Sequence, residues 1–287
     1  MKIYGVEQTK LFITGSSGFI GKNLVEFFSS SNIPIFEYKR GDNIETNLRY
    51  FKPTAIINCA AEIYNAEKMI DSNIILTSQI LDYIKDYSPD TKLVQIGSSA
   101  EYGPVDHPTS ETDRINPVDM YQATKGSATL LCQGYAKQFD LNVSIARPYS
   151  VYGKYEKPHR LFPRLWKAFK LNEPMTLYQG YHDFIYIDDF VRGINIILNT
   201  KTNGDIINFG SGVQYSNTEV LETFESITKN SNAPVKFMDT MAKKFESEIW
   251  KCNPMYADIT YRFKTLHSLE DGIERFLKTA NYTRESI

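Results

Sequence analysis

Over the first half of the chain, short runs that are apolar at every position alternate with longer segments whose apolar residues recur at helical spacing. Leu11 to Thr14 (LFIT) reads as a buried strand, and it passes through Gly15-Ser16-Ser17-Gly18 into FIGKNLVEFFSSS, which carries the 3.6-residue period of a helix. IPIFEY (Ile33 to Tyr38) predicts a second strand, closed by the turn-like Gly41-Asp42, and TAIINCA (Thr54 to Ala60) predicts a third. A long helical pattern runs from about Glu67 to Tyr87 and ends near Pro89. KLVQIGSS then predicts a strand, VDMYQATKGSATLLCQGYAKQF a helix and NVSIARP a further strand. Strands apolar on both faces and separated by helices need a parallel sheet covered on both sides. Residues 1–150 are therefore expected to form an α/β domain with a doubly wound parallel sheet.

After Pro148 the texture changes to aromatic, proline-containing segments such as YEKPHRLFPRLWKAFKLNEP. DFIYIDDFVRGINIILN returns to strand and then helix, DIINFGSG reads as one more core strand, and helical patterns recur at about Thr218 to Thr228 and Ser268 to Thr279. A smaller C-terminal substrate-binding lobe is expected from residues 151–182 and 213–287, with the chain returning to the main sheet at about 183–212. A length of 287 residues is enough to bury a full core in this arrangement.

Charge and cysteine content narrow the function class. The formal net charge is −2 and no basic block clusters along the chain, so nucleic acid is not an expected partner. No apolar stretch approaches the ~20 residues of a membrane helix, and no long apolar run follows the basic residue near the N-terminus, so neither a membrane span nor a signal peptide is expected. Cys59, Cys132 and Cys252 are odd in number, far apart and without metal-ligand spacing. They read as reduced packing residues of a cytoplasmic protein with no metal site.

The stretch TGSSGFIG places Gly15, Gly18 and Gly21 in a G-x-x-G-x-x-G spacing between the first strand and its helix. Glycines there permit a tight turn, close approach of backbone to a pyrophosphate and close helix–sheet packing, while the helix N-terminus offers free N–H groups to the phosphates. Opening a βαβ unit, the motif predicts dinucleotide binding in a Rossmann arrangement, with Gly15, Ser17, Gly18, Phe19, Ile20 and Gly21 around the cofactor. An acid at the end of the second strand would bind the ribose 2′-hydroxyl of NAD, whereas a base accommodates the 2′-phosphate of NADP. The strand ends FEYKRGD, so Lys39-Arg40 stand where the acid belongs and favour NADP(H), while Glu37, slightly early, leaves NAD(H) open.

The stretch MYQATKGS puts Tyr121 and Lys125 four residues apart, on one helix face, a spacing that decides nothing alone. Its surroundings do. TGSSGFIG, NCAA (Asn58 to Ala61), IGSSAEYG (Ile96 to Gly103), YQATK, ARPYSVYG (Ala146 to Gly153) and DFIYIDD (Asp183 to Asp189) occur in order over nearly the whole chain. This set resembles the extended short-chain dehydrogenase/reductase family, in the branch that modifies nucleotide-diphosphate sugars, and within it the 4-keto-sugar reductases. The resemblance implies that Tyr121 is the general acid/base, that Lys125 is its electrostatic partner and a ligand of the nicotinamide ribose, and that Ser98 steadies the substrate oxygen. A nearby ammonium would favour the tyrosinate and lower the tyrosine pKa. A strand-end Ser-Ser could equally cap the turn that follows it. The resemblance further implies cofactor contacts from Ala60, Ala61 and Pro148, support of the site by Asn73, and a homodimer formed through the helices that contain Ile74 to Ile84 and Tyr121 to Phe139.

Family members oxidise, reduce, epimerise or dehydrate a sugar at C4. Dehydratases carry an Asp-Glu pair directly after the active-site hydroxyl residue, where this chain has Ser99 and Ala100, with Glu101 one place further on. The leading expectation is an NAD(P)H-dependent reductase of a nucleotide-diphospho-4-keto(-6-deoxy) sugar, with Tyr121 as proton donor. The alternatives are a 4-epimerase or 4-dehydrogenase with tightly bound NAD, and a non-catalytic dinucleotide-sensing protein. On the substrate side, Ser98 and Ser99 are joined by Ser150, His182 and Arg164. Ser150 stands where relatives often have Asn and His182 where they often have Arg, so Arg164 is one candidate to compensate for the lost cation.

Overall fold

The computed structural model describes residues 9–241 and 248–280, and the N-terminal stretch read for a leader lies partly outside them. From the amino end the chain forms β1 (Leu11–Thr14), α1 (Phe19–Ser29), β2 (Ile35–Tyr38), α2 (Ile44–Phe51) and β3 (Ala55–Asn58). It continues through α3 (Ala66–Met69), a π-helical segment (Ile70–Ile75), α4 (Leu76–Tyr87), β4 (Lys92–Ile96), a 3-10 turn (Ser99–Tyr102), α5 (Met120–Phe139) and β5 (Val143–Pro148). Next come β6 (Ser150–Tyr152), α6 (Leu161–Leu171), β7 (Met175–Gln179), β8 (Tyr181–Tyr186), α7 (Ile187–Leu198) and β9 (Asn203–Phe209). The last described elements are β10 (Gln214–Ser216), α8 (Asn217–Thr228), β11 (Val235–Met241), α9 (Met255–Tyr261) and α10 (Leu269–Thr279).

The central sheet has six strands in the order β2-β1-β3-β4-β5-β9, every neighbouring pair parallel. The inner strands β1, β3, β4 and β5 are buried at every position because both faces are covered. Leu11 and Ile13 of β1 enter one cluster, with Leu24 and Phe28 of α1 and Phe190 and Ile194 of α7. Phe12, between them, enters the other, with Leu48 of α2, Ile80 and Ile84 of α4, and Cys132 and Ala136 of α5. From β1 the chain goes outward to β2 and then back past β1 to β3, so the winding direction reverses there. That topological switch point opens a crevice above the carboxyl ends of β1 and β3.

The expected doubly wound sheet is present, and three details depart from the sequence pattern. The strand read in DFIYIDD, β8, lies outside the central sheet and pairs with β6 and β10 in a three-stranded sheet of the smaller lobe. The return to the central sheet is made by α7 and β9, whose register with β5 runs from Val143↔Asn203 to Pro148↔Phe209. Between β2 and β3 the chain inserts α2, capped by the Asn43 side chain accepting from Thr46 N at 2.9 Å and closed by Lys52 at φ 51°. The long helical pattern after β3 is interrupted by the π-helical turn around Asn73.

The aromatic richness of the second half is structural. Tyr152 and Phe162 stack with ring centroids 4.0 Å apart, and Phe184, Phe224 and Phe276 surround Phe162. This cluster is continuous with the α1–α7 face of the sheet, so the smaller lobe and the sheet share one core. Helix α7 seats on the sheet because Gly193 faces the Phe209 and Phe263 rings, where an added Cβ would lie 2.4 Å and 3.1 Å from ring carbons. Alanine is the better helix former by about 1 kcal/mol, but forcing a methyl group into a packed core costs typically 1–3 kcal/mol. Gly193→Ala is therefore expected to lower unfolding stability by up to roughly 2 kcal/mol in urea melts; a higher midpoint would show that Phe209 gives way freely.

Candidate active site

The glycine loop forms the floor of the crevice. Gly15 sits at φ 63°, and a Cβ on it would lie 2.7 Å from Ala60 N and 2.8 Å from the Cys59 carbonyl group. A Cβ on Gly21 would lie 2.2 Å from Gly15 O, so this glycine is required where α1 crosses the loop. Gly18 differs: its Cβ would meet only Gly15 O, at 3.1 Å, and it starts α1 without a side-chain cap. The first turn of α1 also carries no acidic residue. Its uncapped N–H groups and positive dipole end suit an anionic group, and the residues fit the pyrophosphate of a dinucleotide.

A buried polar chain fixes the strand ends around this loop. Thr14 Oγ1 donates to Asn58 Oδ1 at 2.5 Å and accepts from Ala60 N at 3.1 Å. Asn58 Nδ2 in turn donates to Gln95 Oε1 at 2.8 Å and to Thr77 Oγ1 at 3.1 Å. These bonds tie β1, β3, β4 and α4 together directly beneath Ala60 and Ala61.

Tyr38 closes β2 opposite Thr14, so Lys39 and Arg40 follow at the level of the glycine loop, where the sequence places them. Arg40 pairs across the mouth of the crevice with Glu62 at 3.4 Å. Glu62 accepts the backbone N–H groups of Ile63, Tyr64 and Asn65, and its carboxyl is held below its ordinary value by these bonds, that of Tyr64 foremost. The sequence did not single out Glu62. Its signal was an acid followed by a short polar loop, common in any protein.

Helix α5 starts at Asp119, whose side chain accepts from Gln122 N at 2.8 Å, and this cap sets Tyr121 and Lys125 on successive turns. Lys125 is buried, and its ammonium donates to the Ile96 carbonyl at the end of β4. Burial pushes the Lys125 amine below its ordinary value, and the Glu101 charge opposes that shift. Burial pushes the Tyr121 phenol up, while the Ser98 hydroxyl beside it acts in the opposite direction. The expectation that Lys125 lowers the Tyr121 pKa is therefore not met in this state. Desolvation dominates at Tyr121, and the lysine is turned to a backbone carbonyl.

Ser98 caps the turn that follows β4 and also stands beside Tyr121. Its Oγ accepts from Ala100 N at 3.2 Å as the cap of the 3-10 turn, and its hydroxyl stands at Tyr121. Ser99 is buried in that turn. Asn73 donates to Thr124 Oγ1 at 3.0 Å and to Glu62 O at 3.0 Å, and accepts from Glu62 N at 2.8 Å. It thereby joins the crevice loop to α5 one residue before Lys125. π-Helical turns of the kind that holds Asn73 are frequent at functional sites. Arg147, next to Pro148, turns inward to the buried Glu101.

On the lobe side, Ser150 and His182 come together, Oγ to Nδ1 at 3.3 Å. They line a cavity of about 150 Å³ with Glu156, Arg160, Phe162 and Phe184. Arg164 donates instead to Thr176 O on β7 at 2.7 Å, and Arg160 supplies the cation of the cavity. Across the crevice, Tyr64 reaches His159 with 2.5 Å between the phenol oxygen and Nε2.

Glu156 is buried beside Arg160, which donates to Oε1 at 2.8 Å, and burial pushes its carboxyl up to about 7. The folded chain holds this proton more tightly than the unfolded chain does. The resulting stabilisation is complete below the ordinary carboxylate pKa and is lost as pH rises through about 7. Glu156→Gln is expected to remove this dependence, gaining roughly 1–3 kcal/mol over wild type at pH 8 relative to pH 5 in urea denaturation. Equal differences at the two pH values would mean that Glu156 is ionised throughout.

The model of the NAD dependent epimerase/dehydratase family matches residues 11–210. The low-salt glycan biosynthesis protein Agl12 of Haloferax volcanii is 26% identical to this chain, over 81% of this chain and 86% of that protein. The UDP-glucuronic acid 4-epimerase of Bacillus cereus, solved in complex with UDP-glucuronic acid and NAD, has a TM-score of 0.83 at 25% identity. The likeness covers 94% of this chain and 98% of that one. The dTDP-glucose 4,6-dehydratase of Bacillus anthracis, in complex with NAD, shares the fold with a TM-score of 0.85 at 21% identity, covering 94% and 96% of the two chains. With the family match spanning the glycine loop, Ser98, Tyr121, Lys125 and the return to the sheet, the chain belongs to the NAD-dependent epimerase/dehydratase family, within the extended short-chain dehydrogenases/reductases.

Proposed function

We propose that the chain is an oxidoreductase that acts at C4 of a nucleotide-diphosphate sugar in the manner of a 4-epimerase. The observation that carries this reading is the meeting of Ser98, Tyr121 and Lys125 at the carboxyl end of β4, beside the open first turn of α1. The glycine loop would hold a dinucleotide whose nicotinamide, when bound, would supply or accept the hydride at the sugar carbon. Ser98 orients the sugar oxygen, Tyr121 exchanges the proton with it, and Lys125 keeps positive charge beside the oxygen as it ionises. The Gly15–Gly21 loop holds the pyrophosphate, and the Ser150–His182 cavity with Arg160 receives part of the sugar nucleotide. A dehydration would need two further proton-transferring groups. Ser99 and Ala100 occupy those positions, and Glu101 is committed to Arg147.

Lys39 and Arg40 favour a second reading, an NADPH-dependent 4-keto-sugar reductase, because a paired Arg and Lys at the end of β2 suit a 2′-phosphate. Retention of Ser98, Tyr121 and Lys125 weighs against a sensor without turnover. Ile70, Ile75, Leu130 and Phe139 are exposed on or beside α4 and α5, which supports a homodimer through these helices. Among the described residues no helix is long and apolar enough to cross a membrane.

Two measurements test these readings. Denaturing the purified protein and identifying the released dinucleotide should give stoichiometric NAD or NADH for the epimerase. An empty protein that binds NADPH over NADH would move the assignment to the reductase. With UDP-glucuronic acid and UDP-glucose as probes, Tyr121→Phe is expected to keep cofactor affinity and to lose about 10²–10⁴-fold in turnover; unchanged turnover would remove Tyr121 from the mechanism.

A further inference from the structure

We propose that Glu101 is a positioning residue that fixes Ser98 and supplies the negative charge facing Lys125, a role that rests on the catalytic assignment of Ser98, Tyr121 and Lys125. Glu101 stands one place beyond the positions that dehydratases fill with carboxylates, and it is turned away from any proton-transfer role of that kind. It is fully buried, and each of its oxygens has a defined partner. Oε1 accepts the backbone N–H of Ser98 at 2.8 Å. Oε2 accepts from Thr129 Oγ1 at 2.8 Å, from Arg147 Nε at 2.9 Å and from Arg147 Nη2 at 2.8 Å. Ser98 lies two residues past the end of β4, Thr129 lies one turn beyond Lys125 on α5, and Arg147 belongs to β5. One carboxylate therefore locks together the three elements on which the catalytic side chains depend.

Room for this carboxylate is made by Gly97, where a Cβ would lie 2.7 Å from Glu101 Oε1 and 3.2 Å from Arg147 Cγ. The Arg147 guanidinium is also placed 4.6 Å over the Tyr102 ring, and the Tyr102 hydroxyl donates to Asn208 on β9 at 2.9 Å. Arg147 Nη1 is buried without a hydrogen bond. Desolvating two charges while leaving one donor unsatisfied is a poor way to gain stability, and an apolar pair of similar volume would often serve as well. What an apolar pair could not provide is an anchored negative charge beside the lysine.

The groups facing Lys125 are Glu101 and the thiols of Cys59 and Cys132. Burial pushes both thiols well up, Cys59 to about 12, so they are neutral, and Glu101, bonded to Thr129 one turn from Lys125 on the same helix, is the charge that acts most on Lys125. Tyr121 is faced by Ser98, Glu101, Arg160 and Asp119. The Glu101 charge opposes the desolvation that drives Lys125 down, and it also helps to keep Tyr121 protonated. It thus biases the pair toward ammonium and neutral phenol, the state that donates a proton to the sugar oxygen.

The test needs no substrate. The titration of Lys125 is read by NMR in ligand-free protein labelled with 13Cε-lysine, its resonance assigned by its loss in Lys125→Met. Glu101→Gln keeps an acceptor for Ser98 N–H but removes the charge, and the Lys125 midpoint is expected to move to lower pH. Glu101→Asp retains the charge and should return the midpoint toward wild type. Where Glu101→Gln fails to fold because Arg147 is left unpaired, the Glu101→Gln/Arg147→Met double variant removes both charges and is expected to show the same downward shift. An unchanged midpoint in the folded variant, accompanied only by a lower melting temperature, would reduce Glu101 to a structural anchor and overturn the proposal. Absence of turnover on nucleotide sugars would remove the proposed reaction and leave this titration result standing.

Discussion

The structure depends on how closely the ends of β1 and β3 approach. Gly15 lies against the Cys59–Ala60 peptide and Gly21 lies against Gly15, so two glycines with no room for a side chain bring loop, strand and helix into contact. That contact aims the first turn of α1 into the crevice, and the Thr14–Asn58–Gln95 chain of hydrogen bonds carries the same alignment across to β4. Ser98 and the Ile96 carbonyl, which holds Lys125, both sit at the end of β4. The glycine loop, Ser98 and Lys125 are therefore positioned by one continuous set of strand ends.

Charge is used sparingly inside this framework. Lys125, Glu101, Arg147 and Glu156 are buried around the crevice and its cavity, and each is engaged by a hydrogen bond or an ion pair. Burial shifts Lys125 down and Glu156 up, so both are drawn toward their neutral forms. Glu101 and Arg147 are instead held against each other, 2.8 Å apart, with both side chains buried. The site thus combines groups poised near a change of protonation with one pair held fixed.

Much of this was legible in the sequence because it is written in short-range patterns. Continuous apolar runs and the 3.6-residue period located β1, β3, β5 and the helices α1 and α5 to within two residues, and β4 to within three. The glycine spacing located the crevice, since backbone approach leaves no choice of residue at Gly15 and Gly21. The sheet assignment of β8 was not legible, because an apolar strand reads the same whichever sheet it joins. Nor was α2, whose signals were a capping asparagine and a left-handed lysine rather than a long apolar stripe. The partner of Arg40 and the inward turn of Arg164 depend on contacts distant in sequence. Glu101 was partly legible: SSAE has the S-x-x-E form of a capping box, and the box is present. What the local pattern could not reveal is that the same carboxylate also meets Arg147, 46 residues away.

The single aromatic core that runs from the α1–α7 face of the sheet through Tyr152 and Phe162 to Phe276 has a mechanical consequence. A hinge between two bodies requires a seam that parts at low cost, and here the seam would run through stacked and edge-on rings whose separation exposes apolar surface to water. Rigid-body opening is thereby disfavoured. The span where Tyr64 meets His159 differs, being a contact between polar groups that water can replace at little cost. The molecule works as a stiff block with a soft rim.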